Sequence, residues 1–159
     1  MSNNKIKYRN RGVGLVEIVV TLVILLTVVV GTMGYQYYTA LNARQADLSI
    51  TAGRLALVLL ETWKGRQSET DFDPVADLGS DLAVTASASG QPAPNLTDLL
   101  GSYTITANNA NYFATLSYQD VADSPRLLNI VVAWGQRDYG QGTFSDTDTS
   151  ISWTTYQSY

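Results

Sequence analysis

Cysteine and histidine are both absent from this sequence of 159 residues. The chain therefore has no disulfide framework, no Cys/His metal site, no histidine general base and no cysteine nucleophile. An enzyme built only from Asp, Glu, Ser, Tyr and Lys would need a cluster of such residues that the sequence does not announce. We therefore expect a protein that is not an enzyme and that carries no cofactor and no metal ion.

Charge is missing from a long early segment. No charged residue occurs from Ile18 to Ala43, and Glu17 is the one ionisable residue between positions 13 and 34. An apolar helix of about 20 residues covers roughly 30 Å of hydrocarbon, so segment 13–34 predicts a transmembrane helix. A carboxylate in hydrocarbon costs several kcal/mol unless it has a partner, which makes Glu17 a candidate functional residue.

Acidic residues are also missing before Glu17, where four basic residues occur: Lys5, Lys7, Arg9 and Arg11. A basic flank stays on the cytoplasmic side of a membrane, so the N-terminus is predicted to be cytoplasmic and the remainder outside. Removing residues 1–12 would leave six basic and 14 acidic residues, a formal charge of −8. That charge argues against general nucleic-acid binding.

Three interpretations of the N-terminal segment compete. A cleaved signal peptide has an apolar region of about 7–15 residues and then a small-residue cleavage site. Here the apolar run is longer, and the segment Gly31–Tyr38 offers no such site. A plain signal anchor explains the length and the basic flank but not the acid. The stretch Arg11-Gly-Val-Gly-Leu-Val-Glu17, a basic leader ending in glycine and then an apolar helix with an early acid, resembles the type IV prepilin signature.

The resemblance implies that a prepilin peptidase removes the leader by cutting between Gly12 and Val13. Val13 would then carry the N-methylated amine, and Glu17 would be the residue that contacts other subunits during assembly. A freed amine at Val13 lies one helical turn from Glu17, so the two charges can neutralise each other within a subunit or between neighbours. Val13 and Gly14 depart from the residues that the family more often has at these positions.

The same resemblance implies partners and a location. The expected partners are the peptidase, the bacterial inner membrane, and other pilins or pseudopilins in a homo- or hetero-oligomeric filament. Before assembly the chain would cross the inner membrane once. After assembly it would lie in an extracellular pilus or a periplasmic pseudopilus. The cluster Tyr35-Gln-Tyr-Tyr38 at the end of the apolar run is typical of an anchor in the headgroup layer.

Helical spacing continues beyond the membrane segment. No proline occurs before Pro74, and Gly65 is a suitable end for a helix over residues 13–66. The expected buried stripe of this helix comprises Leu41, Ala46, Ile50, Gly53, Leu57 and Leu60. Segment 67–100, punctuated by glycine and proline, predicts a variable connecting loop with one short strand, Leu82–Ala88, and a helical turn at Leu96–Leu100.

After Gly101 the apolar period changes to two, which predicts an antiparallel β-sheet domain over residues 101–159. Its strands are Tyr103–Ala107 and Tyr112–Tyr118, which form a hairpin, then Arg126–Trp134 and Thr149–Tyr156. Core packing is expected for both Trp134 and Trp153. The predicted fold class is α+β and pilin-like: a long N-terminal helix, transmembrane in its first half, packed on a small antiparallel sheet.

The C-terminal part resembles minor pilins of the PilV kind and some type II secretion pseudopilins. The resemblance rests on a valine-rich strand ending in Ala133-Trp134, a glycine-containing turn and a Ser/Thr-rich last strand. A minor subunit is therefore expected, and the alternatives are a major pilin or a pilus-borne adhesin or DNA-binding subunit. Asp138, Asp146 and Asp148 could supply calcium oxygens, but the calcium-loop pattern is missing and a solvated acidic loop is favoured.

Overall fold

The computed structural model describes residues 14–66, 72–88, 90, 96, 98–120, 125–136 and 142–157. The chain divides into two units, one up to Asn42 and one from Ala43 to Tyr159. The elements in chain order are α1 (Leu15–Lys64), α2 (Pro74–Leu78), β1 (Ala83–Ser87), β2 (Asp98–Ala107), β3 (Ala110–Gln119), β4 (Arg126–Trp134), a 3-10 turn (Phe144–Asp146) and β5 (Thr149–Gln157). The α+β class, with one long apolar N-terminal helix and one antiparallel sheet, agrees with the prediction.

The five strands form one sheet in the order β1-β2-β3-β4-β5, and every neighbouring pair is antiparallel. β2 and β3 are joined by the two-residue turn Asn108-Asn109, in which both residues have positive φ, 51° and 61°. Such a turn matches the right-handed twist of a hairpin, and asparagine tolerates this backbone conformation well. The predicted hairpin is therefore confirmed. β1 and the first residues of β2 fall within segment 67–100, which the sequence assigns to the connecting loop.

The hydrophobic core of the second unit lies between α1 and one face of the sheet. Trp63 is fully buried and stacks on Phe72, with ring centroids 6.1 Å apart. Tyr112, Ile130 and Trp134 extend the same core from the sheet. Large apolar side chains from both layers therefore bury one another, and burial of each contributes about 1.5–3 kcal/mol to folding.

The predicted buried stripe of α1 is wrong. Ile50 and Leu57 are 53% and 41% exposed, and of the six stripe residues only Leu60 is buried. The residues that α1 buries are Leu48, Ala52, Leu55, Ala56, Leu59, Leu60 and Trp63. Residues 55–60 are apolar all round the helix, so spacing alone does not identify the face that meets the sheet. The observed stripe places two alanines at the contact.

Two smaller predictions also fail. Within the expected helical turn at Leu96–Leu100, residues 98–100 belong instead to β2, and Leu99 pairs with Ser117 of β3. Trp153 is 37% exposed, whereas Trp134 is 2% exposed. β5 is one of the two edge strands, so Trp153 has a neighbouring strand on one side only, and its partner there is Ile130.

The C-terminal end of α1 is tied to the rest of its unit by polar contacts. Gln157 of β5 donates through Nε2 to the carbonyl oxygens of Arg66, at 3.0 Å, and Lys64, at 3.4 Å. The Arg66 guanidinium forms an ion pair with Asp77 of α2. Carbonyls in the last turn of a helix have no partner within the helix, so Gln157 supplies a donor where one is needed.

Candidate functional site

Of the site residues inferred from the resemblance, the structure describes Glu17. Gly12 and Val13, the predicted cleavage and methylation positions, lie outside the described residues. Glu17 is described: it lies in the first turn of α1, and its backbone N–H donates to the carbonyl of Gly14 at 2.9 Å. A negative side chain in the first turn suits the positive end of the helix dipole. Glu17 is exposed, so a second molecule has access to its carboxylate.

The surroundings of Glu17 are apolar. Glu17, Ile18, Thr21, Leu22 and Leu25 lie along one exposed face of α1. The hydroxyl of Thr21 donates to the backbone carbonyl of Glu17 at 2.7 Å, and not to the Glu17 carboxylate. Among these five residues Glu17 alone carries a charge, so a cation brought to this helix face would meet one acceptor in an apolar setting.

The first part of α1 exposes nearly all of its apolar side chains. Leu15, Val16 and Val30 are 78%, 75% and 68% exposed, and no residue from 14 to 40 is buried. Among the described residues, α1 is the helix long and apolar enough to cross a membrane by length and composition. Exposed apolar surface on this scale marks contact with lipid or with another protein.

The threonine hydroxyls of this segment donate to backbone carbonyls of the same helix. Thr21, Thr27 and Thr39 each donate to the carbonyl four residues earlier, and Thr32 donates to the carbonyl three residues earlier, at 2.7–2.9 Å. A transmembrane helix must satisfy its polar groups without water. The four threonines therefore add little to the cost of placing the segment in hydrocarbon.

The tyrosine cluster follows the apolar run and is also exposed. Tyr35, Tyr37 and Tyr38 are 75%, 62% and 67% exposed, and the rings of Tyr37 and Tyr38 meet edge to face with centroids 6.0 Å apart. Rings with an apolar body and a polar tip suit a boundary between lipid and water. Their exposure is compatible with the predicted role as a headgroup anchor.

The acidic loop uses its carboxylates locally. Asp146 accepts from the backbone N–H and the hydroxyl of Thr143, at 2.8 and 2.7 Å, and these bonds hold the pKa of Asp146 below its usual value. Asp148 accepts from the backbone N–H of Gln136 at 2.8 Å. Asp138 lies outside the described residues. Within the described residues, no group of three acidic side chains is placed to hold a metal ion.

The sheet face away from the core contains buried polar groups that the sequence did not indicate. Thr115 Oγ1, Ser117 Oγ and Asn129 Oδ1 are buried without a hydrogen-bond partner. A Cβ atom added to Gly90 would lie 2.3 Å from Thr115 Oγ1. The backbone at Gly90 therefore lies so close to this face that a larger residue would clash. The cluster offers hydrogen bonds but neither an acid nor a base, so it has no means of proton transfer.

The fold and the site define a class: an α+β protein whose N-terminal helix can cross a membrane once and carries an exposed carboxylate in its first turn. No family model, no curated protein and no solved structure matches this chain.

Proposed function

We propose that this chain is a type IV pilin-like subunit. In this proposal a prepilin peptidase removes residues 1–12, the chain is held in the bacterial inner membrane with its N-terminus in the cytoplasm, and it then enters a pilus or pseudopilus as a minor component. The motif from Arg11 to Glu17 supports processing. The chain has the two parts that such a subunit needs, an exposed apolar helical segment and a folded domain.

One observation carries the proposal. The first part of α1 leaves its apolar side chains exposed while an exposed Glu17 lies in its first turn. In water this surface would favour association, because removing apolar area from water contributes about 25 cal/mol per square ångström. In lipid, or among the helices of other subunits, the same surface is favourable. A filament subunit meets both environments in turn.

The Glu17 carboxylate gives the apolar part of α1 a means of contact with neighbouring subunits. An unpaired carboxylate in an apolar medium is costly, and a cation placed beside it removes much of that cost. The amine created at Val13 by processing is such a cation, and it can be supplied by the same subunit or by a neighbour. Glu17 would then favour arrangements in which each carboxylate lies near an N-terminal amine.

Mass spectrometry of the mature chain tests the processing step. A chain that begins at methylated Val13 is expected in the membrane and in any fibres sheared from the cells. A retained leader, or a cut after Gly34, would contradict the proposal.

Substitution of the carboxylate tests the assembly step. Glu17→Ala is expected to leave membrane insertion intact and to remove the chain from the sheared fibre fraction. Asp81→Ala, which removes an exposed acid outside α1, is the control and should leave fibre incorporation unchanged. Normal incorporation of Glu17→Ala would remove Glu17 from its proposed role. The abundance of the chain in the fibres separates the subunit types: a dominant band would identify a major pilin, and a trace band a minor one.

A further inference from the structure

The sheet ends on one side at β5, and the far side of this strand has no neighbouring strand among the described residues. β5 pairs with β4 over nine consecutive residues without a register shift. In the described part of the chain, its backbone makes no hydrogen bond outside that pairing. Alternate residues of a strand direct their N–H and C=O groups to opposite sides, so about half of the backbone groups of β5 lie unpaired along an open edge.

The sequence of β5 has none of the features that usually protect such an edge. Natural edge strands are kept short, or they carry lysine, proline or a β-bulge that prevents the addition of another strand. β5, Thr149-Ser-Ile-Ser-Trp-Thr-Thr-Tyr-Gln157, has no charged residue, no proline and no glycine. The other edge strand, β1, is five residues long. β5 is therefore the edge that can accept a long partner, because nine residues of strand span about 30 Å.

The core side of β5 is incompletely covered. Trp153 lies opposite Ile130 of β4, which is fully buried, and Ile151 lies on the same side of the sheet. Trp153 is nonetheless 37% exposed, and Ile151 is half-buried. The core between α1 and the sheet thus ends at β5 with part of an indole ring in solvent. A further strand with an apolar side chain opposite Trp153 would cover this ring, as Ile130 does from β4.

The opposite side of β5 presents hydroxyl groups. Ser152 and Thr154 are exposed, and their oxygens accept from Nδ2 of Asn129 in β4, at 2.9 and 2.7 Å. Each hydroxyl therefore keeps its own proton for another acceptor. Tyr156 continues this side and is 66% exposed. A partner strand is thus expected to alternate apolar residues on the core side with hydroxyl-bearing residues on the opposite side.

Charges lie at the two ends of β5 and differ in sign. Asp146 and Asp148 precede its first residue, and both are exposed. At its last residue, Gln157 donates to the carbonyl oxygens of Lys64 and Arg66, which are exposed as well. The edge is thus neutral along its length, acidic at its start and basic at its end. Such a charge pattern determines the orientation and the choice of a partner more than its affinity.

We propose that the open edge of β5 binds an extended segment of another protein, which joins the sheet as an antiparallel sixth strand. The pairing residues of this segment are uncharged and alternate between aliphatic and hydroxyl-bearing side chains. An acidic residue at its start and a basic residue at its end meet the opposite charges beside β5. The pairing is antiparallel because every pair in this sheet is antiparallel and such pairs are the more stable per residue. Binding of this kind does not require that the chain enters a filament.

A synthetic peptide tests the edge and the orientation together. The probe is a capped and fluorescently labelled peptide, Glu-Thr-Ile-Thr-Ile-Thr-Ile-Thr-Lys, whose three isoleucines face Ile151, Trp153 and Thr155 in the proposed register. It is added to the full chain in detergent micelles, and binding is followed by fluorescence anisotropy. Saturable binding is expected, because main-chain hydrogen bonds supply affinity to an added strand. Amide hydrogen exchange should slow in β5 and stay unchanged in β1.

Two control peptides separate backbone pairing from adsorption. The first has the two flanking residues exchanged, with lysine first and glutamate last, and should bind more weakly because each flank then meets a like charge. The second keeps every side chain but has N-methylated backbone amides. It cannot donate main-chain hydrogen bonds, so it should not bind.

Variants of the two edge strands locate the binding. Trp153→Lys removes the aromatic contact and places a charge on the core side, so it is expected to weaken binding about fivefold or more. Thr155→Lys, at a half-buried position on the same side, is expected to act in the same direction and serves if Trp153→Lys does not fold. Thr85→Lys, at an exposed position of β1, is the matched control and should bind normally. Thermal unfolding in the same micelles confirms that each variant is folded.

Every other outcome overturns the proposal. Equal binding of the N-methylated peptide would show adsorption through side chains, and equal or tighter binding of the exchanged-flank peptide would contradict the antiparallel orientation. Loss of binding in Thr85→Lys but not in Trp153→Lys would place the partner on β1. Failure of the probe to bind would remove β5 as a docking edge. Dimers in sedimentation that Trp153→Lys abolishes would show that a second copy of this chain occupies the edge instead.

Discussion

The two parts of α1, before and after Asn42, are equally helical but differ in what they bury. From Leu15 to Ala40 no residue is buried, although this is the more apolar part. From Ala43 to Lys64 the helix is more polar, and yet seven of its residues are buried. Apolar surface is thus most exposed where it is most abundant. In a soluble domain the hydrophobic effect would give the opposite distribution.

The comparison separates two uses of apolar residues. After Asn42, leucine, alanine and tryptophan are arranged to fit the sheet, with Ala52 and Ala56 fully buried between larger neighbours. Before Asn42, valine and leucine surround the helix with no preferred side. A helix that is apolar all round is typical of lipid or of a helix bundle. Three predictions test whether the two parts respond differently to the same kind of change.

The largest effect is expected from a cavity in the second part. Trp63→Ala should lower the free energy of unfolding of the domain by about 3–5 kcal/mol, because Trp63 is fully buried and stacked on Phe72. The measurement is urea unfolding of the full chain in detergent micelles, followed by near-UV circular dichroism. Leu26→Ala, which truncates a side chain that is 52% exposed in the first part, should leave this unfolding unchanged. Equal losses for both variants would abolish the distinction between the two parts.

A slightly smaller effect is expected from a charge in the first part. Leu26→Lys should reduce membrane insertion by about 2.5–3.5 kcal/mol, the cost of a lysine near the middle of a membrane-spanning helix. The fraction of chain that resists alkaline extraction from membranes reports this change. Leu57→Lys, at an exposed position of the second part, is the control and should insert normally. If both variants insert equally well, the first part does not cross a membrane.

The extent of α1 was predictable because its signals are local. Gly65 and the absence of proline define the end of the helix near Lys64, where the structure has it. The strands after Gly101 were predictable from alternation and from the asparagine turn. Burial was less predictable. Leu55–Leu60 is apolar on every side, and the choice of face depends on contacts with β3 and β4, which are distant in sequence. Leu99 suits a helix or a strand, and its pairing with Ser117 of β3 places it in a strand.

The residues of the candidate site were likewise predictable only where the signal is local in sequence. Glu17 was found from the sequence because an acid beside an apolar run is a local anomaly. The buried side-chain oxygens of Thr115 and Asn129 that lack a partner were not predictable until the strands were placed in register.

The smallest effect concerns a tyrosine that meets the second part of α1. Tyr112 is 1% exposed; burial raises its pKa above the usual value, the hydrogen bond with Thr51 of α1 opposes this, and the carboxylate of Asp47 adds to it. A raised pKa in the folded state means that the unfolded chain loses this proton first as the pH rises. The stabilisation linked to the proton is therefore complete below about pH 10, the pKa of an unperturbed tyrosine, and is lost as the pH rises through the folded pKa.

The matched variant Tyr112→Phe separates the proton from the ring. It should cost about 0.5–1.5 kcal/mol at neutral pH, since one hydrogen bond to Thr51 disappears. It should also reduce the decline in stability above pH 10, because the unfolded chain no longer gains from ionising at this position. Urea unfolding at pH 7, 9 and 11 measures both effects. Tyr37→Phe, in the first part of α1, provides the contrast: its ring is 62% exposed, so its hydroxyl can be removed without a change in the neutral stability. An unchanged slope for Tyr112→Phe would show that its hydroxyl is as accessible to water in the folded protein as in the unfolded one, and the second part of α1 would then not seal the core as its burial implies.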